Sequence, residues 1–286
     1  MKIIIRKIMP NWLKPITNEV LRKYRQMTWS NRFLPDFIII GAQKSGTTSL
    51  YDYLSQHPQL RSSYMKEVHF FDGGLNPNVD NFKKGEAWYR SNFPLKQNTD
   101  NNQKAFEASP LYLFNPLAPQ RISELVPEVR LIAVLRNPVE RAISHYFHEK
   151  RKGFESLPIM QALKSEEERL KPIIEKQDYK NNSFIHHSYK SRGLYHEQLK
   201  RYLDYFPMSN ILVVQSETLF TQPHETLQRV FQFVGVDTEF FINDLKPRNV
   251  GSNRTKIDPD VYKYLEDYFR PHNQELYKLI GENYDW

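Results

Sequence analysis

Three runs of consecutive apolar residues dominate the hydropathy pattern of the chain, at 37–40, 131–135 and 211–215. The runs are short, contain β-branched residues and lack the polar alternation of a half-exposed strand, so they predict strands buried on both faces. Apolar residues at helical spacing predict helices at 48–54, 117–125, 193–206, 223–234 and 258–280. Strands that alternate with helices indicate a single α/β domain, in which a parallel sheet is flanked by helices on both faces.

The first predicted strand ends in a glycine-bounded loop, Gly41-Ala-Gln-Lys-Ser-Gly46, and a helix is predicted directly after it. Such a loop presents backbone N–H groups at the start of a helix and favours a phosphate-like anion. Gly41 and Gly46 have the spacing of the nucleoside-triphosphate motif G-x-x-x-x-G-K-[ST], but Thr47 stands where that motif has its lysine. The lysine lies inside the loop, as Lys44. The sequence therefore predicts a P-loop-like fold with a different anion site.

The second predicted strand is followed by Arg136-Asn-Pro-Val-Glu-Arg-Ala-Ile-Ser144. Pro138 suits the first turn of a helix, and Ser144 would lie about two turns further on, on a face that can look back toward Arg136. A guanidinium makes bidentate contacts to phosphate, although a strand-end arginine taken alone more often forms a structural ion pair. No aspartate ends this strand, which argues against the magnesium site of the P-loop kinases.

A third group of polar residues lies in the segment 64–72, where Lys66, Glu67 and His69 directly precede two phenylalanines. Taken alone, Glu67 is typical of a surface carboxylate and His69 of a histidine with its polar contacts satisfied. A carboxylate held against aromatic rings would have a raised pKa suited to accepting a proton.

These motifs together resemble those of the sulfotransferases that use 3′-phosphoadenosine 5′-phosphosulfate (PAPS). Lys44-Ser-Gly-Thr-Thr48 is similar to their 5′-phosphosulfate loop, K-[SG]-G-T-[TR], and Glu67-Val-His-Phe-Phe71 is similar to the E-x-H-F-F run of the heparan-sulfate branch. The resemblance spans about residues 36–280. It implies that PAPS is the co-substrate and that a sulfuryl group passes to a hydroxyl or amine of an acceptor, with a carbohydrate or glycolipid favoured.

The resemblance also implies roles for individual residues. Glu67 would be the general base, with His69 as its helper or substitute, and Lys44 would stabilise charge on the transferred group. Tyr195, at a helix start, and Arg254, in a basic loop, would join the donor site. The residues expected to bind the donor are Lys44, Ser45, Gly46, Thr47, Thr48, Arg136, Ser144, Tyr195 and Arg254.

One position departs from the relatives. The glycosaminoglycan enzymes commonly have E-K-[ST]-P, whereas this chain has Ala108 in place of that active-site lysine. The loss argues against a heparan-like acceptor and leaves more of the charge stabilisation to Lys44 or Lys66. The disulfide of the animal enzymes is also missing, so a polysaccharide, a glycolipid and a small metabolite all stay open as acceptors.

Composition adds few constraints. The 286 residues include 40 Lys and Arg against 33 Asp and Glu, and the net charge of +7 suits an anionic nucleotide, an acidic acceptor, nucleic acid or a membrane surface without selecting one. We expect no nucleic-acid partner. The chain has no cysteine, and the adjacent His186 and His187 would point to opposite sides of an extended chain, so we expect no metal. No run approaches the roughly 20 apolar residues of a membrane span, and a cytoplasmic location is expected.

The chain is expected to divide into a basic extension, 1–35, and a sulfotransferase domain, 36–286. The extension mixes Lys and Arg with Ile, Leu and Trp, and either packs on the core or makes a peripheral membrane contact. The charged stretch 150–180 predicts a solvated helix with a modest apolar face that includes Ile174.

Two other functions stay open at this point. A P-loop kinase-like phosphotransferase would require magnesium-dependent turnover of ATP, which the position of Lys44 opposes. A non-catalytic module that binds a nucleotide or an acidic glycan would retain the basic residues but tolerate Glu67→Gln.

Overall fold

The computed structural model describes residues 13–97, 102–248 and 257–286, in which strands and helices alternate around one sheet. The strands are β1 (Phe37–Gly41), β2 (Leu60–Ser62), β3 (Lys104–Ala108), β4 (Arg130–Leu135) and β5 (Ile211–Gln215). The helices are α1 (Leu13–Met27), α2 (Thr47–Leu54), α3 (Gly85–Arg90), α4 (Ala118–Leu125), α5 (Pro138–Arg151), α6 (Ile159–Lys164), α7 (Glu166–Glu175), α8 (Asn182–His186), α9 (Tyr195–Leu203), α10 (Ser216–Thr221), α11 (Pro223–Val234) and α12 (Pro259–Ile280). Short 3₁₀ helices lie at Trp29–Asn31, Phe82–Lys84, Ser191–Gly193 and Met208–Asn210.

All five strands are parallel and lie in the order β2-β3-β1-β4-β5. The central strand β1 pairs with β3 on one side and with β4 on the other, so that Ile38 lies beside both Glu107 and Leu131. The chain fills the β3 side of β1 first and then crosses to the β4 side. The carboxyl end of β1 is therefore a topological switch point, where parallel α/β sheets bind their ligands. The prediction of a P-loop-like parallel α/β domain is confirmed.

The side chains of the strands alternate between two cores, one on each face of the sheet. In β1, Ile38 and Ile40 pack in the core that includes Leu199 of α9, whereas Ile39 packs in the core that includes Leu50 of α2. All five of these side chains are fully buried or nearly so, and each contributes roughly 1.5–3 kcal/mol to the free energy of unfolding. Burial on both faces explains why the strands appear in the sequence as uninterrupted apolar runs.

The charged stretch 150–180 differs from its prediction. It forms two short helices, α6 and α7, rather than one solvated helix, and Ile173 is buried there while Ile174 is half exposed. Glu166, which belongs to a run of three glutamates, is buried and accepts hydrogen bonds from the N–H groups of Lys190 at 2.5 Å and Ser191 at 2.8 Å. The prediction was wrong because a carboxylate that caps two backbone donors cannot be recognised from local charge alone.

A buried arginine connects the segment between α1 and β1 with the chain that follows α3. Arg32 donates from Nη1 to the carbonyl oxygen of Phe93 at 2.8 Å and from Nε to that of Arg25 at 3.0 Å. Within the described residues, no helix has both the length and the apolar character needed to cross a membrane. Residues 1–12 lie outside the described part, and both the division at residue 35 and a membrane contact of the extension stay predictions.

We expect Glu166→Gln to lower the free energy of unfolding by about 1–3 kcal/mol, because an amide can accept at only one end and would leave one buried N–H group unpaired. The neighbouring Glu167 is the matched control, since its side chain is 75% exposed and pairs with the Lys190 ammonium. Glu167→Gln should change stability by less than about 0.5 kcal/mol. Urea unfolding measures both, and equal losses would contradict the assigned role of Glu166.

Candidate active site

A cavity of about 810 Å³ opens at the carboxyl ends of the central strands. Positive charge dominates its lining, with the cationic side chains Lys44, Lys66, Arg136, Arg151, Lys152 and Arg248. The carboxylates that line it are Glu67, Glu140 and Glu217. A concave site with this charge balance favours an anionic ligand.

The loop between β1 and α2 forms one wall of the cavity. Gly41 packs so closely on the turn after β3 that a Cβ atom there would lie 2.5 Å from the Cβ atom of Leu113. Lys44 and Gly46 have φ angles of +71° and +91°, which turn the chain sharply into the first residue of α2, Thr47. The α2 N-terminus, with its unpaired N–H groups, thus faces the cavity and provides an anion site.

The loop lysine lies among other cations. Burial, together with the charges of Arg151 and Arg136, lowers the pKa of Lys44. Binding of an anion would offset the repulsion between Lys44 and the two arginines, because its negative charge favours the ammonium form of Lys44.

Arg136 extends from the end of β4 toward the same loop. Its Nη1 atom donates to the carbonyl oxygen of Lys44 at 3.3 Å, and its Nη2 atom lies 3.2 Å from Oε2 of Glu140. Ser144, two turns into α5, lines the cavity on the same side. The structure therefore brings the loop lysine, the strand-end arginine and the helix serine to one cavity, in the arrangement that the sequence motifs predict.

Two of the expected donor residues lie behind the cavity wall rather than in it. Tyr195 is 1% exposed and donates from its hydroxyl group to the carbonyl oxygen of Arg136 at 2.8 Å. Ser45 is fully buried within the loop. Tyr195 thus supports Arg136, which lines the cavity, and a direct donor contact of Tyr195 or Ser45 stays a prediction. Arg254 lies outside the described residues.

Behind the loop, a buried arginine supports the cavity wall. Arg192 donates to Oε1 of Gln43, which lines the cavity, and to the carbonyl oxygens of Phe184 and Ile185. Burial, together with the charge of Arg141, lowers the pKa of Arg192 to about 9. Glu166 accepts hydrogen bonds from the backbone N–H groups of the two residues before Arg192. Hydrogen bonds therefore connect α7, through Arg192, to the loop that forms the cavity wall.

The proposed base segment, residues 64–72, forms a chain of charged groups at the cavity edge. Lys66 Nζ lies 2.7 Å from Glu67 Oε1, and His69 Nε2 lies 3.5 Å from Glu67 Oε2. On its other side, His69 Nδ1 lies 2.6 Å from Oδ2 of Asp72, which is buried. Lys66 and Glu67 line the cavity, whereas His69 and Asp72 lie behind them.

These contacts correct the expected proton affinities. Hydrogen bonding to His69, with a further contribution from Lys66, lowers the pKa of Glu67 to about 2. Burial opposes charge on His69, but its bonds to Asp72 and Glu67 outweigh that effect and raise the pKa of His69 to about 10. The expectation of a raised pKa for Glu67 was wrong because both phenylalanines point into the core, leaving its carboxylate beside two cations.

At neutral pH the segment therefore holds an ionised Glu67 and an imidazolium at His69. An imidazolium cannot accept a proton, so His69 cannot substitute for Glu67 as the base in this state. It can hold and orient the carboxylate instead.

Sequence reasoning missed Asp72, Arg151, Lys152 and Arg248. The spacing of Asp72, three residues after His69, was the only local signal for its role. Arg151 and Lys152 belong to the charged stretch that was interpreted as solvated, whereas Arg248 belongs to the basic loop that was assigned to the donor site through Arg254, and all three line the cavity.

Comparison with known proteins agrees with this geometry. A family model described as the sulfotransferase domain matches residues 34–272. The chain belongs to the sulfotransferase family, and the prediction of a sulfotransferase is confirmed.

Among its relatives, the human heparan sulfate glucosamine 3-O-sulfotransferase 6 is 32% identical over 277 residues, which cover 89% of this chain and 74% of that enzyme. The bovine bifunctional heparan sulfate N-deacetylase/N-sulfotransferase 2 is 29% identical over 308 residues. That alignment covers 95% of this chain, which spans only 32% of the bifunctional enzyme. The crystal structure of a sulfotransferase from Alicyclobacillus acidocaldarius is similar with a TM-score of 0.71 and 32% identity, over 88% of this chain and 97% of the other.

The ionic contacts of His69 predict a pH-dependent stability. The pKa of about 10 in the folded protein lies above the value of 6.5 for an unpaired histidine. The protonated ring therefore stabilises the fold fully below pH 6.5, and this stabilisation is lost as the pH rises toward and through 10. The difference in Tm between the wild type and His69→Gln should thus be large at pH 6 and shrink by pH 10. A constant difference would contradict an ionic contribution, and the same substitution at the exposed His224 is the control.

Proposed function

We propose that this chain transfers the sulfuryl group of PAPS to a hydroxyl or amine group of a glucosamine-containing glycan. The observation that carries the proposal is a single cavity that is lined by Lys44 of the loop, by Arg136 and Ser144, and by the Glu67 carboxylate. The loop at Lys44 and the pair Arg136 and Ser144 form two positive positions in one cavity. A single elongated ligand with a phosphate group at each end fits these positions better than two separate anions do.

The residues present suit the donor that the sulfotransferase family implies. Lys44 and the N–H groups at the start of α2 would hold the phosphosulfate, while Arg136 and Ser144 would hold the 3′-phosphate. The glycine at position 46 suits this site, because a Cβ atom there would lie 2.9 Å from the ring of Phe220 at the cavity edge. When bound, PAPS supplies an activated sulfuryl group and a leaving group.

In the proposed reaction Glu67 accepts the proton of the acceptor. Its carboxylate is ionised and faces the cavity, but Lys66 and His69 weaken it as a base. We infer that an acceptor hydroxyl replaces Lys66 at Oε1, which restores part of the basicity of Glu67 and turns the ammonium toward the transferred group. Lys66 thus takes over charge stabilisation that Ala108 cannot provide.

The acceptor assignment rests on the relatives named above. Their names place heparan sulfate among their substrates, and the cationic edge formed by Arg151 and Lys152 suits an acidic saccharide. A small metabolite is the alternative acceptor, and a direct comparison of the two substrates distinguishes them.

The proposal includes no metal ion. Each carboxylate of the cavity already has a partner, since Glu140 pairs with Arg136 and Glu217 accepts a hydrogen bond from the Asn137 N–H group at 3.0 Å. Glu67 is held by Lys66 and His69. Magnesium prefers oxygen ligands, and both Glu67 and Glu140 would have to give up their present contacts to bind one.

We expect 3′,5′-adenosine bisphosphate to bind more tightly than 5′-AMP or ATP when magnesium is absent. Arg136→Ala should reduce the affinity for the bisphosphate by roughly 10- to 100-fold, because charge-assisted hydrogen bonds contribute about 1.5–3 kcal/mol, and should leave the affinity for 5′-AMP nearly unchanged. Isothermal titration calorimetry measures all three.

Arg130→Ala is the control for this experiment, since Arg130 lies at the opposite end of the same strand β4 and donates to the Phe233 carbonyl oxygen. It should leave bisphosphate binding unchanged. Equal binding of the three nucleotides by the wild type would overturn the donor assignment.

Glu67→Gln should lower kcat by on the order of 10²–10⁴ with PAPS and a heparan sulfate oligosaccharide, because the amide cannot accept the acceptor's proton. Binding of the bisphosphate should change by less than about threefold, since Glu67 is assigned no donor contact. The surface substitution Glu86→Gln is the control. A variant that keeps most of the wild-type turnover would exclude Glu67 as the base.

A further inference from the structure

The proposed mechanism makes no use of Glu107, although this carboxylate is fully buried beneath the base segment. It lies on β3, the strand next to the central β1, close to the end where β3 meets the cavity. Glu107 has no cationic partner within hydrogen-bond distance among the described residues, and its oxygen atoms are occupied by hydroxyl groups. Tyr89 donates to Oε1 at 2.6 Å and Ser109 donates to Oε2 at 2.8 Å. Tyr112 donates to Oε1 at 3.2 Å.

Two of these hydroxyl groups also accept hydrogen bonds from the base segment. The N–H group of His69 donates to Ser109 Oγ at 3.3 Å, and the N–H group of Phe70 donates to Tyr112 Oη at 2.9 Å. The N–H group of Phe71 approaches the same phenol oxygen at 3.4 Å. The backbone N–H groups of three consecutive residues, 69–71, therefore donate to hydroxyl oxygens that are themselves hydrogen-bonded to Glu107.

The proton of a hydroxyl group decides which way its lone pairs face. Each hydroxyl has one proton, and as long as Ser109 and Tyr112 give theirs to Glu107, their lone pairs remain available to the backbone. A hydrogen-bond acceptor at the position of Glu107 thus fixes the orientation of both hydroxyl groups at once. Because Glu107, Ser109 and Tyr112 are fully buried, water cannot replace a partner that one of them loses.

The backbone that this network supports has an uncommon conformation. Glu67 has a φ angle of +64° and His69 one of +52°, both in the left-handed region that residues with a side chain rarely adopt. Such backbone persists only where its surroundings hold it. Apart from the hydroxyl network, Glu67 donates its N–H group to the Ala108 carbonyl oxygen at 2.8 Å, and Asn81 donates to the carbonyl oxygen of His69 at 2.9 Å.

We propose that Glu107 is a positioning residue for the reaction, which acts through the hydroxyl groups of Ser109 and Tyr112 to hold Glu67 and His69 in place. This inference rests on the proposed function, in which Glu67 is the base. It assigns Glu107 no contact with the donor or the acceptor.

The chain offers a matched pair of variants for the test. Tyr89 and Tyr112 are both fully buried tyrosines that donate to Glu107, but only Tyr112 also accepts from the base segment. We expect Tyr112→Phe and Glu107→Gln to lower kcat at least about tenfold, since small displacements of a reacting group are costly. Tyr89→Phe should stay within about twofold. KM for PAPS and the affinity for 3′,5′-adenosine bisphosphate should be nearly unchanged in all three.

The kinetic assay uses PAPS and a heparan sulfate oligosaccharide at pH 8, above the pKa of Glu107, which burial raises to about 7. A second readout does not depend on turnover. The imidazole signals of His69, followed by NMR as the pH is raised, report whether its contacts with Asp72 and Glu67 survive. We expect the pKa of His69 to fall by about 1 pH unit or more in Glu107→Gln and Tyr112→Phe and to be retained in Tyr89→Phe.

Each outcome decides the proposal. Losses confined to Glu107→Gln and Tyr112→Phe in both readouts support it. Equal losses in the two phenylalanine variants, or an unchanged kcat and His69 pKa in Tyr112→Phe, overturn it, and Tyr112→Phe carries the test if Glu107→Gln does not fold. If the wild type transfers no sulfuryl group, the proposed function fails, while the NMR comparison still decides the positioning role.

Discussion

The site depends on the pairing of β1 with β4, which fixes where the two strands end. Because the strands are parallel neighbours, their carboxyl ends emerge side by side, and the Lys44 carbonyl oxygen comes within 3.3 Å of the Arg136 guanidinium. A glycine at position 41 allows the turn after β3 to pack against this point. The distance between the two positive positions is therefore set by sheet geometry rather than by flexible side chains, which is the preorganisation that anion recognition requires.

Around this constraint the protein gathers charges that repel one another. Burial and the neighbouring arginines lower the pKa of Lys44, while Arg192 and Gln43 support the loop from behind. A bound dianion would neutralise the cluster and stabilise the fold by linkage. The opposite polarity is found at the base segment, where Glu67 and Asp72 enclose His69 and keep it protonated. Donor and acceptor sides of the cavity thus have distinct electrostatic environments in one continuous space.

Much of this arrangement could be predicted from residues that are close together in the chain. The buried runs of β1, β4 and β5, the glycines of the loop and the spacing of Arg136 and Ser144 all report on local geometry, and the order of strands and helices makes the sheet parallel. Sequence reasoning did less well where tertiary contacts decide the chemistry. The pKa of Glu67 depends on Lys66 and His69 turning toward it, and the burial of Glu166 depends on a segment about 25 residues away. Tyr195 followed the family pattern in its position, yet its hydroxyl group supports the Arg136 carbonyl instead of lining the cavity.

The central claim is that one cavity binds the two ends of a single doubly phosphorylated adenosine. The most direct test is a crystal structure with 3′,5′-adenosine bisphosphate bound. We predict the 5′-phosphate within hydrogen-bond distance of Lys44 and the first N–H groups of α2, and the 3′-phosphate within that distance of Arg136 and Ser144. A bisphosphate bound outside the cavity, or one whose 3′-phosphate points away while Arg136 remains paired with Glu140, would contradict the account.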